Sequence, residues 1–342
     1  MANFEQQYRE FRRAYGEAQK ILVIAHKKPD GDTLGACLAI DSLLQGLKKD
    51  VTLACIDKPV KRYDFLEGVN KFVRDFDYEE YDLIIVCDAG AHYMTGYHEI
   101  YPEIFSGKDV PVVNIDHHSS NDYFGTINIV DSDAASTTLI LYRYFAWLDL
   151  SIITPEVATD LLIGIYNDTG SLMHSNTTRE IFEVSADLAK KGAKSFVISK
   201  HLFKNTPLST LKLWGRVFSN VKVNEDGVAM SVVCEKDFEE CGANQDELSG
   251  VVDMVNAIPG IKFAVILNED GQGNVKGSFR TPREDVDLSE IAGVFGGGGH
   301  RKAAGFSMPG KVEKEVRWKI VSDESLTDVS KKLLGEGNVE KS

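Results

Sequence analysis

The chain has 342 residues, of which 43% are hydrophobic and 26% are charged, and its formal net charge at pH 7 is −14. This length exceeds what one ordinary hydrophobic core supports and suits two domains. The negative charge argues against a protein that coats long nucleic acid, because such proteins need a basic surface. It does not argue against a short anionic substrate held in one local pocket.

The cysteines and the lack of long apolar runs indicate the cellular compartment of the protein. No apolar run approaches the roughly 20 residues that a membrane helix needs, and the polar, helix-like N-terminus lacks the apolar core of a signal peptide. The cysteines are odd in number and scattered along the chain. This pattern indicates reduced thiols and not a disulfide framework or a zinc site. We therefore expect a cytoplasmic protein without a membrane partner. The cysteines are Cys37, Cys55, Cys87, Cys234 and Cys241.

Short apolar runs alternate with helical patterns in the first half of the chain. Four runs predict buried strands of a parallel sheet: 20–26, 50–57, 81–89 and 111–116. Three segments predict helices: 33–47, 135–148 and 154–170. In the last helix, Thr154 is the candidate N-cap and Pro155 takes the first helical position. This alternation predicts an α/β fold, a doubly wound parallel sheet with helices on both faces.

The pattern changes in the second half of the chain. A connecting helix is predicted at 208–221, a strand at 227–235, and two strands at 262–281 that are separated by a turn containing Asp-Gly. These elements predict a smaller α+β domain. The predicted organisation is a first domain, a helical linker and this second domain, with the bounds 1–190, 191–221 and 222–342.

Acidic and imidazole side chains recur where the predicted strands end. Alone, each would commonly be a turn, cap or core residue, but the carboxyl ends of parallel strands meet at one edge of a sheet. Carboxylates gathered there repel one another unless cations lie between them, and oxygen plus imidazole ligands suit Mn²⁺. Two ions are the natural number, with Asp88 as the bridge, as in phosphoryl transfer. The residues are His26, Asp30, Asp32, Asp88, Asp116, His117, His118 and Asp168.

Six sequence blocks resemble a known family. HKKPDGDTLGA, CDAG, NIDHHSSND and NDTGSL, in that order, resemble the signature blocks of the DHH phosphoesterase superfamily. GSFR and GGGGHRKAAGF, further along, resemble the DHHA1 substrate-binding domain. Together they look like the NrnA-type bifunctional oligoribonucleases and pAp phosphatases, also called nanoRNases, across nearly the whole chain.

The resemblance implies a role for each residue of the cluster. Asp116 would accept a hydrogen bond from an imidazole and fix its orientation. His118 would face the reacting phosphate, where it would stabilise charge or give a proton to the leaving oxygen. Water would attack phosphorus in line with the leaving group, without a covalent enzyme intermediate. One Mn²⁺ would be held by His26, Asp30 and Asp88, and the other by Asp32, Asp88, His117 and Asp168, with Mg²⁺ or Co²⁺ as substitutes.

The glycine-rich stretch VFGGGGHRKAAGF, residues 294–306, is a second unusual feature. Consecutive glycines let backbone N–H groups approach an anion, and RKAAGF predicts a helix behind them; the alternative is a flexible hairpin tip. The resemblance implies that this domain grips the terminal phosphate or nucleotide and closes over the metals about a hinge near 191–221. The predicted substrate-binding residues are Arg280, Gly297, Gly298, Gly299 and His300, with Arg283, Lys302 and His92 as further candidates.

The leading hypothesis is a Mn²⁺-dependent phosphoesterase. It would hydrolyse oligoribonucleotides of about two to five residues to 5′-mononucleotides and remove the 3′-phosphate of pAp, a length range that follows from the resemblance and the small predicted clamp. One alternative is a phosphodiesterase for cyclic di-AMP or pApA, and another is a catalytically silent nucleotide-binding protein. An inorganic pyrophosphatase fits the second domain less well. Long duplex nucleic acid is not an expected partner, and a homodimer through the first domain is a further hypothesis.

Overall fold

The computed structural model describes residues 4–108, 110–203 and 206–313. The chain divides into two compact units, Met1–Asn205 and Thr206–Ser342. Each unit has its own β-sheet and its own hydrophobic cores. In the described part of the chain, no helix combines the length and the apolar character needed to cross a bilayer.

A parallel sheet forms the centre of the first unit. Its strands in chain order are β1 (Lys20–Ala25), β2 (Asp50–Ala54), β3 (Leu83–Cys87), β4 (Val112–Asp116) and β5 (Ile127–Val130). They lie side by side in the order β2-β1-β3-β4-β5, and all pairs are parallel. The first four strands confirm the prediction. The fifth was not predicted, because INIV is only four residues long and polar residues flank it.

The α-helices of this unit contribute their buried side chains to the core on one face of the sheet. They are α1 (Glu5–Glu17), α2 (Gly31–Gly46), α3 (Thr137–Leu148), α4 (Pro155–Asp168), α5 (Arg179–Lys190) and α6 (Ser195–Phe203). The start of α4 is as predicted: the hydroxyl of Thr154 accepts a hydrogen bond from the amide of Val157 at 3.3 Å, and Pro155 opens the helix.

The two faces of the sheet are covered differently. Val23 and Ile85 point into the core that includes α2, α3 and α4, whereas Ile24 and Ile84 point to the other face. Short 3-10 turns around residues 92–99, with buried Tyr97, cover that second face. Because both faces are buried, the strands read as continuous apolar runs. The predicted doubly wound α/β fold is confirmed.

The strand order locates the edge where a ligand can bind. The chain leaves β1 to build β2 on one side and later returns to build β3 on the other side. At such a switch point the connections diverge and leave a crevice outside the carboxyl ends of the strands. Residues 26–32 follow β1, and residues 88–90 follow β3. The topology therefore brings these two segments together.

The second unit has a mixed sheet with helices, as predicted for an α+β domain. Its strands are β6 (Lys222–Val223), β7 (Val228–Val233), β8 (Phe263–Glu269), β9 (Asn274–Arg280), β10 (Gly298–His300) and β11 (Ala303–Pro309). They lie in the order β10-β11-β9-β8-β7-β6, antiparallel except for the β7–β8 pair. The helices are α7 (Leu208–Asn220), α8 (Glu235–Cys241), α9 (Val251–Asn256) and α10 (Leu288–Val294).

The segment 191–221, predicted as a helical linker, is largely helical and is shared between the units. Ile198 of α6 packs in the core of the first unit. Leu213 and Val217 of α7 pack in the core of the second unit. The division between the units therefore falls inside the predicted linker, between residues 205 and 206.

The helix predicted for RKAAGF is wrong, because Arg301 and Lys302 form the turn between β10 and β11 and the remaining four residues begin β11. The Phe306 ring of β11 stacks on Phe295 with centroids 4.6 Å apart. The glycines permit close pairing: a Cβ on Gly297 would lie 2.2 Å from the carbonyl oxygen of Gly305. Pairing of β11 with β9 and β10 outweighs the helical propensity of the two alanines.

Candidate active site

His26 follows β1 and points at the Asp88 carboxylate. Its Nε2 lies 3.5 Å from Asp88 Oδ2, and its Nδ1 lies 2.7 Å from the carbonyl oxygen of Lys27. The carbonyl can only accept, so Nδ1 carries a proton, and Nε2 is the nitrogen that faces the cluster. A metal-binding imidazole is commonly oriented in this way.

Asp30 and Asp32 are held at the N-termini of two different helices. Asp30 caps α2 with its Oδ1 and accepts from the amide of Thr33 at 3.1 Å. Asp32 is fully buried and accepts from the amides of Thr137 and Thr138, at 2.6 and 3.0 Å, at the start of α3. The backbone amides at these helix N-termini donate to both carboxylates, so the fold fixes the orientation of each.

Asp88 lies at the centre of the cluster. It follows β3 with φ of 60°, in the left-handed region that aspartate tolerates better than most residues. Oδ2 accepts from the Thr33 hydroxyl at 2.6 Å, and Oδ1 accepts from the Thr137 hydroxyl at 3.0 Å. Oδ2 faces His26, and Oδ1 lies 3.6 Å from Nε2 of His117. One carboxylate therefore faces two separate groups of ligand atoms.

His117 and Asp168 complete the second group. The His117 ring directs Nδ1 towards the carbonyl oxygen of Ala134 at 3.3 Å, and its Nε2 lies 3.1 Å from Asp168 Oδ2. Asp168 is the last residue of α4, and its Oδ1 accepts from the side-chain amide of Asn167. His117 therefore repeats the arrangement of His26, with one nitrogen on a carbonyl and the other on carboxylates.

Asp116 and His118 form a pair beside this cluster. Asp116 ends β4, is fully buried, and its Oδ1 accepts from Nδ1 of His118 at 2.7 Å. Its Oδ2 accepts from the side-chain amide of Asn121 at 2.6 Å and from the backbone amide of His118 at 3.2 Å. The carboxylate thus fixes the tautomer and the orientation of His118, whose Nε2 is the nitrogen directed away from Asp116.

The acids and imidazoles perturb one another strongly. Burial raises the pKa of Asp30 to about 6, and the charges of Asp88 and Asp168 add to that rise. Burial alone would lower the pKa of His26, but its hydrogen bond to Asp88 raises it to about 9. Burial opposes the ionisation of Asp88, yet its imidazole partners, chiefly His26 and His117, hold its pKa below the usual range. A cation among these carboxylates would relieve the same repulsion that otherwise makes them take up protons.

The donor atoms fit divalent metal ions. Three groups of residues each offer ligand atoms within 4.8 Å of one another. Oxygen and imidazole donors without a thiolate suit hard or borderline cations, and Asp88 belongs to two of the groups. One group includes His118, although the family resemblance implies that His118 contacts the substrate and does not bind a metal. The groups are His26, Asp30 and Asp88; Asp32, His117 and Asp168; and Asp88, His117 and His118.

The structure brings together all eight cluster residues predicted from the sequence, but several of their supporting residues were missed. Threonine hydroxyls and amides bind Asp32 and Asp88, and asparagine side chains bind Asp30 and Asp116. The sequence held a signal for some of these supporting residues. DGDT, SSND and ASTT each place a short polar side chain beside a cluster residue or at a helix start. The missed residues are Thr33, Thr137, Thr138, Asn121 and Asn167.

The predicted substrate-binding residues lie in the second unit. Arg280 ends β9 and pairs with Asp253, Nε to Oδ1 at 2.7 Å. Together with Lys276 and Ser278 from the same strand it lines a cavity of about 280 Å³. The backbone of Gly298, Gly299 and His300 forms β10, and Gly297 directly precedes it.

The three further candidates are placed differently. Arg283 pairs with Asp285 through both Nε and Nη2, and Lys302 pairs with Glu284 at 2.8 Å. His92 belongs to the first unit, where its Nδ1 lies 3.8 Å from Asp122. Each of the three thus lies beside an acid of its own unit.

Comparisons with known proteins agree with this geometry. The sequence model described as the DHH family, N-terminal domain, matches residues 20–165, and that of the DHHA1 domain matches residues 225–323. The bifunctional oligoribonuclease and PAP phosphatase NrnA of Thermus thermophilus is 32% identical over 293 residues, which cover 85% of this chain and 84% of that protein. The NrnA of Bacillus subtilis is 27% identical over 297 residues, which cover 84% and 89%.

A solved structure supports the fold. The crystal structure of an exopolyphosphatase-related protein from Bacteroides fragilis matches with a TM-score of 0.82, at 23% sequence identity, over 96% of this chain and 95% of that one. Both domain matches, the relative at 32% identity and the cluster of ligands at the carboxyl edge of the sheet lead to one conclusion. The chain belongs to the DHH–DHHA1 phosphoesterase family, and it is a hydrolase.

Proposed function

We propose that this protein is a two-metal phosphoesterase that uses Mn²⁺ to hydrolyse short oligoribonucleotides to 5′-mononucleotides and to remove the 3′-phosphate of pAp. The observation that carries the proposal is that three groups of ligand atoms share Asp88 or His117. Within each group the atoms lie within 4.8 Å of one another. The names of the relatives at 32% and 27% identity, oligoribonuclease and PAP phosphatase, support the substrate class.

The chain would hold the two ions through separate sets of side chains that share Asp88. When bound, such ions lower the pKa of the attacking water and neutralise charge that develops on the phosphate oxygens. The orientation of Asp88, with Oδ2 towards His26 and Oδ1 towards His117, supports its role as the bridge. The proposed sets are His26, Asp30 and Asp88 for one ion, and Asp32, Asp88, His117 and Asp168 for the other.

His118 is the proposed catalytic acid. Asp116 holds the proton of Nδ1 in a 2.7 Å hydrogen bond, which leaves Nε2 as the atom that can stabilise charge or carry a proton to the leaving oxygen. Asp116 acts through His118 and is therefore a positioning residue. Asn121 keeps Asp116 itself in place through a bond of 2.6 Å.

In the second unit, Arg280, Gly297, Gly298, Gly299 and His300 are the proposed substrate-binding residues. The guanidinium of Arg280 lines a cavity that also contains the Lys276 side chain. Two cations beside one cavity suit the phosphate of a nucleotide, and an arginine can bind it through two parallel hydrogen bonds. We also place the protein in the cytoplasm, which its five reduced cysteines support.

One panel of assays tests the proposal. Metal-stripped protein is supplied with Mn²⁺ or Mg²⁺ and offered pAp, RNA of graded length, cyclic di-AMP and pyrophosphate. We expect Mn²⁺-dependent cleavage of pAp and of the shortest RNAs. We expect no cleavage by the double variant Asp116→Ala/His117→Ala, because it loses a metal ligand and the partner of His118.

A matched control removes an acid–imidazole pair elsewhere in the first unit. His98 and Glu99 lie 3.9 Å apart on a 3-10 turn of the other sheet face, so His98→Ala/Glu99→Ala should keep its activity. Undiminished turnover by the Asp116→Ala/His117→Ala variant would disprove the metal assignment. A preference for long RNA, for cyclic di-AMP or for pyrophosphate would disprove the substrate assignment.

A further inference from the structure

Backbone strain in the described residues is concentrated beside the candidate active site. Six non-glycine residues have a positive φ. Five of them lie in the segments that follow β1, β3, β4 and α4, which carry the cluster, and Lys48 is the exception. Positive φ is costly for residues other than glycine, asparagine and aspartate, and such strain tends to persist at functional sites. The five are Lys28, Asp88, Tyr123, Ser171 and Leu172.

Tyr123 is the member of this set whose side chain has no evident structural role. Its φ is 56°, an unfavourable conformation for a bulky residue. Its side chain is 62% exposed, and none of the described residues stacks on its ring or bonds its hydroxyl. The next residue behaves in the opposite way: Phe124 packs against Phe105, with centroids 5.7 Å apart, in the core of the second sheet face.

The backbone of Tyr123 is fixed by the residues that orient the catalytic pair. Its amide donates to Oδ1 of Asn121 at 2.7 Å, while Nδ2 of the same asparagine donates to Asp116 at 2.6 Å. The amide of Asp122 donates to the carbonyl oxygen of Gly90 at 2.9 Å, which ties this loop to the loop that follows Asp88. The tyrosine is thus held in a strained conformation two hydrogen bonds away from the carboxylate that positions His118.

We propose that the ring of Tyr123 binds a nucleobase of the substrate by stacking, an inference that rests on the proposed function. An aromatic ring accepts any base, because every base has a π-face, and removal of such a ring typically costs about 1–3 kcal/mol per base. Stacking on this loop, which begins directly after His118, would hold a base while its phosphodiester lies at the metal cluster. It would also favour nucleotides over base-free phosphate esters without selecting a sequence.

The test compares two substrates in the full-length protein supplied with Mn²⁺. One is pApA, and the other is the same phosphodiester with hydrogen in place of both bases. The measured quantity is the ratio of their kcat/KM values. Tyr123→Asn should lower the ratio by about tenfold, the lower part of the range that stacking accounts for. Tyr123→Phe should leave the ratio unchanged, because it keeps the ring.

The strain provides an internal control. Asparagine adopts positive φ more easily than tyrosine or lysine does. Tyr123→Asn should therefore raise Tm while it weakens binding, which a purely structural tyrosine would not do. The matched control is Lys48→Asn, at φ 59°, just before β2 and so at the opposite edge of the sheet. It should also raise Tm, but it should leave the substrate ratio unchanged.

Several outcomes would overturn the inference. An unchanged ratio in Tyr123→Asn would remove the stacking role, and a fall in Tyr123→Phe equal to that in Tyr123→Asn would assign the effect to the hydroxyl. If the wild type cleaves neither compound, the proposed function fails separately. In that case the dissociation constant for AMP, measured by calorimetry, decides the inference: it should rise in Tyr123→Asn, and an equal constant would refute stacking.

Discussion

At the scale of single residues, the chemistry depends on side chains that are each fixed by several neighbours. Asp88 combines a left-handed backbone, two threonine hydroxyls and three nearby imidazoles. The pattern of acids at strand ends was sufficient to predict this residue and the rest of the cluster. The hydroxyl donors were not predictable in the same way, because Thr33 and Thr137 are distant in the sequence and meet only at Asp88.

A residue-scale prediction concerns Arg280. In its proposed role Arg280 makes a charge-assisted bond to a phosphate. We therefore expect Arg280→Ala to raise KM for pApA about tenfold with little change in kcat, since such bonds contribute about 1.5–3 kcal/mol. The matched control is Arg216→Ala in the same unit, where Arg216 pairs with Glu240 at 2.6 Å much as Arg280 pairs with Asp253 at 2.7 Å. Steady-state kinetics measure both variants. An equal KM in the two would contradict the proposed role of Arg280.

At the scale of elements, the contact between α2 and α4 sets the distance between the metal ligands. The N-terminus of α2 carries Asp30 and Asp32, and the C-terminus of α4 carries Asp168. Glycines allow the close approach: a Cβ on Gly35 would lie 2.1 Å from the carbonyl oxygen of Asp160, and a Cβ on Gly164 would lie 2.2 Å from Asp32 Oδ1. The helices themselves were predictable from their periodicity, but this close approach depends on their packing.

Gly35→Ala should push these helices apart. We expect a loss of about 1–3 kcal/mol in the free energy of unfolding, typical of overpacking, measured by urea denaturation. We also expect a loss of activity, because the carboxylates at the helix ends move with the helices. Gly46→Ala is the control, since it lies at the end of the same helix with open space around it and should be neutral or slightly stabilising. Similar stability and activity in the two variants would contradict this account of the packing.

At the scale of the whole molecule, two units with separate cores share one chain. The cluster of acids in the first unit is tolerated through imidazoles, helix N-termini and raised carboxyl pKa values. A metal that binds the folded chain and not the unfolded chain adds stability in proportion to the logarithm of its concentration. The fold should therefore be more stable with metal than without it.

We expect Mn²⁺ to raise the Tm of the metal-stripped protein, with a gain of about 2.7 kcal/mol when free metal is about 100-fold above its dissociation constant. Asp88→Asn should lose most of this gain, because Asp88 faces both groups of ligands, while asparagine tolerates the positive φ. Calorimetry with and without Mn²⁺ measures the shift, with His98→Ala/Glu99→Ala as a variant that should keep it. Equal shifts in Asp88→Asn and the wild type would contradict the bridging role.

The local sequence was sufficient to determine the elements and the identity of the cluster. Uninterrupted apolar runs such as LIIVC indicate strands buried on both faces, and acids placed directly after them must meet at one edge of a parallel sheet. Thr154 and Pro155 similarly mark the start of α4 by local hydrogen bonding alone. These features depend on neighbours in the sequence, so a reading of the sequence finds them.

Other features were decided only by contacts between distant segments. The short strand β5 exists because β4 pairs with it, and AAGF is part of a strand because β9 and β10 flank it on either side. The strain at Tyr123 follows from a hydrogen bond to Asn121, which is itself held by Asp116. Short segments have weak intrinsic preferences, and the free energy of burial and long-range hydrogen bonding exceeds those preferences; the tertiary structure therefore determines their conformation.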